Sequence, residues 1–340
     1  MLIVDLDGFM MSLVTVSSAG LYCKAGDFHI DPWRSVDTAL ITHAHSDHAR
    51  SGSAHYVATG ISQGILRKRL GETIDLHEVT YGNPLKLGET WVSFHAAGHV
   101  LGSAQVRIEH KDEVWVVSGD YKRCADPTCV PFEVVPCDVF ISEATFGLPI
   151  YRWDSGEDIC RRLYDWWQSD QERASILFCY AFGKAQRVLS ELRKFTDRPV
   201  YVHGAIQTLN AIYREAGVPL LETISTSDMP RNHSYQGELI LAPPSGHRSS
   251  WMKRFARPQT AFASGWMAVR GARRRRGYER GFVLSDHADW KGLIQTIVQT
   301  GAKKVYVTHG QTDVLSRYLQ ECHEIDASPL KTLFEGEGDI

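Results

Sequence analysis

Six residues, His43-Ala44-His45-Ser46-Asp47-His48, put three imidazoles and a carboxylate into one short stretch. Imidazole and carboxylate are the common protein ligands of divalent cations, so the HxHxDH spacing points to a metal site. The bland alternative is a polar surface loop. With 15 His in 340 residues, however, this spacing would arise by chance in roughly a few such chains per thousand. Five further positions share one feature, a His or an acid at the end of an apolar run, mostly beside glycine. They are Asp31 after Phe28-His29-Ile30, His99 in Gly98-His99-Val100-Leu101-Gly102, and Asp120 after Val116-Val117-Ser118-Gly119. Glu143 follows Phe140-Ile141-Ser142, and His309 follows Val305-Tyr306-Val307-Thr308 and precedes Gly310. Taken singly, each reads more readily as a turn residue or helix cap. Strand ends gather at one edge of a sheet, however, and glycine lets backbone pass close by. With the HxHxDH cluster, the five read as parts of one site.

The elements that must position these residues come in two textures. Thr38 to Thr42 reads as a buried strand that presents the cluster at its tip. There His43 and His45 would point the same way, with Asp47 and His48 in the following turn. Leu2 to Leu6, Leu13 to Val16, Phe28 to Ile30, Tyr56 to Ala58, Trp91 to His95, Gln105 to Glu109, Val114 to Ser118 and Val139 to Ser142 also read as strands. Ile61 to Leu70 is the plainest helix among them. A strand-rich stretch with few helices implies packed sheets with helices outside. From about residue 150 the rhythm becomes βαβα, implying a small parallel sheet with covering helices. It begins with an amphipathic helix at Glu157 to Gln168 and a buried strand at Ser175 to Tyr180. After Gly281 the pattern shifts again, to a strand at Phe282 to Ser285, a helix at Trp290 to Thr300 and a strand at Lys304 to Thr308.

Composition sets the outer bounds. Hydrophobic residues make up 43% and charged residues 23% of the chain, as in a globular protein. Net charge is -3, so a nucleic-acid partner would have to meet a local patch rather than a global basic field. No apolar run approaches transmembrane length, so no membrane association is expected. Asp5 and Asp7, with no leading Lys or Arg, argue against a secretory signal and for a cytoplasmic location. Met10 and Met11 leave a downstream start open. Cys23, Cys124, Cys129, Cys137, Cys160, Cys179 and Cys322 form no CxxC pair and read as reduced thiols.

The motif order HAHSDH, GHVLGSAQ, SGDYK, SEATFG, SDHAD and VTHG resembles the metallo-β-lactamase-fold nucleases of the β-CASP group, from about Gly20 to Gly310. That group includes Artemis-like DNA nucleases, RNase J and the endonuclease that cleaves pre-mRNA 3′ ends. The stretches Gly20 to Arg50 and Gly265 to Asp289 look most like bacterial DNA-ligase-associated exonucleases. The resemblance implies an α/β fold, an αββα metallo-β-lactamase sandwich formed by residues 1–150 and 281–340. A βαβα β-CASP cap, residues 151–280, would be inserted into it. It also implies two divalent metal ions. His43, His45 and His99 would hold one, and Asp47, His48 and His309 the other, with Asp120 bridging. Asp31 would brace the ligand loops. The imidazole-rich set suits Zn²⁺, and the carboxylates with a phosphate substrate leave room for Mn²⁺. Two such ions can share a hydroxide as nucleophile, clamp a phosphate and neutralise the leaving oxygen.

Asp47, Glu143 and His287 form the expected catalytic set. Glu143 would orient His287, which protonates the leaving oxygen as general acid, or else serves only as support for the ligands. Gly183-Lys184 at a helix start is a natural phosphate site. Arg270, Arg273, Arg274, Arg275 and Arg276 form a concentrated basic run, read as a backbone clamp rather than a solvated loop. Trp251, Phe255, Phe262, Trp266 and Tyr278 interleave with it, mostly as core and some as stacking platforms. His95 reads as support, and His203 ends a strand where a phosphate could reach it. The resulting expectation is a metal-dependent DNA exonuclease in repair, associated with a DNA ligase and a helicase. The alternatives are an RNA-processing nuclease of the same fold, a small-molecule metallohydrolase and a catalytically inert binder.

Overall fold

Runs of three to seven residues, separated by turn signals, pair with near neighbours in the first half of the chain. The computed structural model describes residues 12–269 and 277–333. A six-stranded sheet runs in chain order through Val14–Val16, Leu21–Cys23, Phe28–Ile30, Thr38–Leu40, His55–Thr59 and Leu76–Val79. Its first two pairings are antiparallel and the other three parallel. A second sheet, of seven strands, begins at one edge with Leu85–Leu87, Thr90–Ala96, Ala104–His110 and Glu113–Val117, all antiparallel. Val139–Glu143, Lys304–Thr308 and Asp326–Pro329 then add to it in parallel.

Burial sets the layers. Phe28, Ile30, Leu40 and Val57 of the first sheet meet Phe94, Val106, Ile108 and Ile141 of the second in one core. Each fully buried side chain of this kind contributes ~1.5–3 kcal/mol of transfer free energy. On the outer face of the first sheet, Ile65 and Leu66 of the helix Gln63–Leu70 pack with Ala39 and Tyr56. On the far face of the second, helices Trp290–Thr300 and Thr312–His323 bring Leu293, Ile297, Leu315 and Leu319 against Val116, Phe140 and Val305. The order is helix, sheet, sheet, helix, as the one-sided burial of each element requires.

The third sheet takes all six of its strands from residues 175–282 and is wholly parallel. Its order is Thr223–Ser225, Val200–Val202, Leu239–Ala242, Ser175–Phe178, Gln259–Ala263, Arg280–Phe282. Its central strands are buried at every position, which is why they read as continuous apolar runs rather than alternating ones. Helices Gly156–Gln168 and Lys184–Leu192 cover one face with Leu163, Trp167, Val188 and Leu189. Short 3-10 turns with apolar side chains, Phe255 and Met267 among them, cover the other.

Differences from the sequence reading are local. The strand expected at Phe282 to Ser285 ends at Phe282. Leu21–Cys23, Leu85–Leu87 and Thr223–Ser225 were not anticipated, because three residues carry too little alternation to register. The run Leu2 to Leu6 lies outside the described residues. All seven cysteines are free thiols. Among the described residues, no helix is long and apolar enough to cross a membrane.

Candidate metal centre

The strand Thr38–Leu40 stops before the HxHxDH cluster, so alternation along a strand does not aim His43 and His45. Asp31 does the aiming. Its carboxylate accepts from the Thr42 N–H at 2.7 Å and the Thr42 hydroxyl at 2.5 Å, and meets His48 Nδ1 at 2.7 Å. Asp31 adopts φ +44°, a left-handed conformation that disfavours most side chains by roughly 1–2 kcal/mol. Three contacts hold it there. Asp31→Asn keeps the shape but turns a donor toward His48 and Thr42; metal affinity should fall ~10–100-fold, measurable by chelator competition.

Asp120 reaches the cluster from the second sheet, past Gly119 at φ +55°. Its Oδ2 lies 3.5 Å from His43 Nε2, 3.4 Å from His48 Nε2 and 3.8 Å from His99 Nε2. These separations exceed a hydrogen bond. They match the ligand-to-ligand edge of a tetrahedral ion, ~3.4 Å for bonds of ~2.0–2.2 Å. Single ligand atoms of His43, His45, His99 and Asp120 all fall within 4.8 Å of one another. The same holds for His48, Asp120 and His309, and for Asp120, Glu143 and His287. Asp120 belongs to all three groups. Asp47 belongs to none of them: its Oδ2 is 3.7 Å from His48 Nε2 and its side chain is 23% exposed, which puts it at the rim.

Charge follows burial here. Desolvation pushes His43 and His99 well below the usual imidazole range, and His309 down to about 4. All three are therefore neutral at pH 7 and can ligate. His48 goes the other way: burial opposes its cation, but Asp120, Asp47 and Asp31 together raise it well above its ordinary value. Burial likewise opposes the Asp120 anion, yet His48 and His287 hold its carboxyl well below the carboxylate range. His43 Nε2 and Asp120 Oδ1 are buried with no hydrogen-bond partner among the described residues. Left so, each would cost about 1–3 kcal/mol. The donor set, its charge and these orphaned atoms fit a divalent cation.

Outer contacts fix the ring orientations. His99 Nδ1 bonds the Asp286 carbonyl at 2.8 Å, and His43 Nδ1 lies 3.1 Å from Thr42 Oγ1. With His48 Nδ1 on Asp31, three imidazoles present Nε2 inward. Asp286 was missed in the sequence, although it precedes His287. Its carboxylate sits 3.3 Å from Lys184 Nζ and 3.7 Å from Arg187 Nη1. This corrects the reading of Lys184 as a phosphate contact. The side chain is 1% exposed and committed to Asp286, and Gln186 Oε1 accepts the Gly183 N–H at the helix start. His95 pairs with Glu133, and His203 caps the helix Gly204–Glu215. Arg270, Arg273, Arg274, Arg275 and Arg276 lie outside the described residues.

Beside the imidazoles, Glu143 ends its strand fully buried. Its Oε1 accepts the Tyr121 N–H at 2.7 Å, and its Oε2 lies 2.9 Å from His287 Nδ1. Burial raises the Glu143 carboxyl, and His287 pulls it back. The Trp153 indole holds the His287 carbonyl at 2.9 Å. His309 stacks on His48 with centroids 5.2 Å apart, at φ +59°. Gly310 follows at φ +67°, where an added Cβ would stand 2.2 Å from the Ala144 carbonyl oxygen. Gly310→Ala should therefore destabilise by at least about 1–2 kcal/mol, read as a lowered thermal midpoint.

No protein-family model matches the chain. It is 27% identical over 312 residues to a protein of Opitutus terrae named "Probable DNA ligase", across 89% of this chain and 30% of that one. It is 28% identical over 130 residues to an RNase J-like protein of Methanocaldococcus jannaschii, covering 35% of this chain and 31% of the relative. With Endoribonuclease YSH1 of Candida glabrata it shares 41% over 161 residues, 47% of this chain and 18% of the relative. The chain thus spans about a third or less of these relatives. A crystal structure of a protein of unknown function from Enterococcus faecalis V583 superposes with a TM-score of 0.60 at 14% identity, over 88% of this chain and 80% of the other. That likeness is one of fold.

Proposed function

We propose that the protein is a metal-dependent phosphodiesterase of the β-CASP group, with a metallo-β-lactamase core at 1–150 and 281–340 and an inserted cap at 151–280. The carrying observation is Asp120 Oδ2, 3.4–3.8 Å from three buried imidazoles, with the Glu143–His287 pair alongside. His43, His45, His99 and Asp120 would hold one ion, and His48, His309 and Asp120, with Asp47 at the rim, a second. Zn²⁺ suits the imidazole-rich first set, and Mn²⁺ the more carboxylate-rich second. Bound divalent ions supply Lewis acidity toward a phosphodiester and lower the pKa of water.

The chain's own residues do the rest. Glu143 accepts the His287 Nδ1 proton and fixes the ring, so Nε2 faces the site. From there His287 delivers a proton to the departing oxygen, which otherwise leaves as an alkoxide. Tyr121 N–H holds Glu143 in register for this. Asp31 keeps His48 and the Thr42 loop from rotating away.

DNA is the favoured substrate, with exonuclease action in repair, because a relative aligned over 89% of this chain is named "Probable DNA ligase". RNA is the second reading, because other relatives are named RNase J-like protein and Endoribonuclease YSH1. Digestion of end-labelled DNA and RNA of one sequence, with Mn²⁺ or Zn²⁺, decides between them. Loss of label from DNA with RNA intact is the expected result; the reverse moves the assignment to RNA. Neither being cut overturns the nuclease reading.

A further inference from the structure

The carboxyl edge of the third sheet carries more than the metal centre. The loop after Ser175–Phe178 brings the Phe182 carbonyl to 3.5 Å from His45 Nε2, and the loop after Arg280–Phe282 carries His287. On the same edge, past the outer strands Val200–Val202 and Thr223–Ser225, lies a pocket of about 520 Å³. Arg231, Lys253 and Arg254 line it, with Trp251 and Tyr235, and no carboxylate does so among the described residues. Its floor is fixed at the strand end: Arg254 Nη1 donates to the Thr226 carbonyl at 2.5 Å, and Trp251 Nε1 to Thr226 Oγ1 at 3.3 Å. His203 stands next to it, 5.3 Å from the Trp251 ring. Burial lowers His203, and the nearby Arg254 guanidinium lowers it further.

The sequence behind the pocket is locally basic in a chain of net charge -3: residues 243–258 carry Arg248, Lys253, Arg254 and Arg257 and no acid. Arg248 and Arg257, which bracket the lining segment, are both exposed and both in the left-handed region, at φ +60° and +44°. Carboxyl ends of parallel strands are where such sheets bind ligands. Three cations with an indole form the chemistry that holds a phosphate and stacks a base. Neighbouring strands are ~4.8 Å apart, so the pocket stands two to five strand spacings, ~10–25 Å, from the loops at the metal centre. That is a few nucleotides along an extended strand.

We infer that this pocket is a second anchoring site for single-stranded nucleic acid, gripping the backbone a few nucleotides from the bond cut at the metal centre. The inference rests on the phosphodiesterase reading and locates where its substrate is held. It predicts that affinity depends on strand length, since a dinucleotide at the metals cannot reach the pocket.

The test is fluorescence anisotropy on the metal-loaded protein with a phosphorothioate thymidine decamer, which resists hydrolysis. Arg231→Glu with Lys253→Glu should weaken binding at least ~10-fold and lower the salt slope by about 1–2. Arg231→Ala with Lys253→Ala, checked by thermal melting, covers the case in which charge reversal disturbs folding. Unchanged decamer affinity and slope in the folded alanine variant would overturn the pocket. So would AMP alone binding as tightly as the decamer and losing affinity in the same variants, since the site would then serve a free nucleotide. Wild-type hydrolysis of bis(p-nitrophenyl) phosphate separates the two levels. Hydrolysis with unaltered decamer binding in the variants sinks only the pocket, whereas neither hydrolysis nor decamer binding by wild type sinks the phosphodiesterase reading as well.

Discussion

Asp120→Ala is expected to lower phosphodiester cleavage by more than ~10³-fold and to empty both metal positions. The first figure follows from several kcal/mol of charge stabilisation by bound ions, at 1.36 kcal/mol per decade of rate. The second follows from geometry, because one oxygen is neighbour to His43, His48 and His99 alike. Removing it takes away the anion that offsets the positive charge of the bound ions, whose ligand His48 must be neutral. Asp120→Asn, which keeps the shape, should fail nearly as badly, since an amide cannot supply that charge. Cleavage rate and metal content measured on the same preparation check this, with melting curves showing that the variants are folded. Cleavage at wild-type rate by either variant would remove Asp120 from the centre of the account.

His287→Ala makes a prediction of a different shape. Metal content should persist, because His287 is in neither the His43–His45–His99–Asp120 group nor the His48–Asp120–His309 group; it groups only with Asp120 and Glu143, and Glu143 takes its Nδ1. Cleavage of the nucleic-acid substrate should fall ~10²–10⁴-fold, the range for losing a positioned general acid. Bis(p-nitrophenyl) phosphate should be far less affected, because p-nitrophenolate departs without a proton. Glu143→Gln should show the same asymmetry in milder form, since it disturbs only the orientation of the ring. An equal loss on both substrates would mean that His287 supports the ligands and does not protonate the leaving group.

The metal cluster was legible in the sequence because its residue types have few other uses at that spacing. Asp31, His99, Asp120, Glu143 and His309 were legible through strand ends and glycines, and the structure brings them to the HxHxDH stretch. What the sequence hid depends on three-dimensional context. Lys184 looked like a phosphate contact at a helix start, but its ammonium is spent on a carboxylate a hundred residues away in Asp286. Asp286 holds His99 by its backbone carbonyl, a role that no side-chain type announces. Asp47 looked equivalent to its neighbours, yet the turn leaves it at the rim. The basic segment 243–258 is faint in the sequence because its four cations are spaced out, unlike the denser arginines from 270 to 276. The third sheet was readable as parallel because its central strands are buried on both faces, whereas its three-residue edge strand Thr223–Ser225 was not.

Metal stoichiometry tests the central claim most directly. Elemental analysis of the purified wild-type protein, after loading with Zn²⁺ or Mn²⁺ and removal of excess, should give about two ions per chain. The Asp120→Ala protein treated in parallel should retain almost none. One ion or none in wild type, or two retained without Asp120, would contradict a centre built on that shared carboxylate.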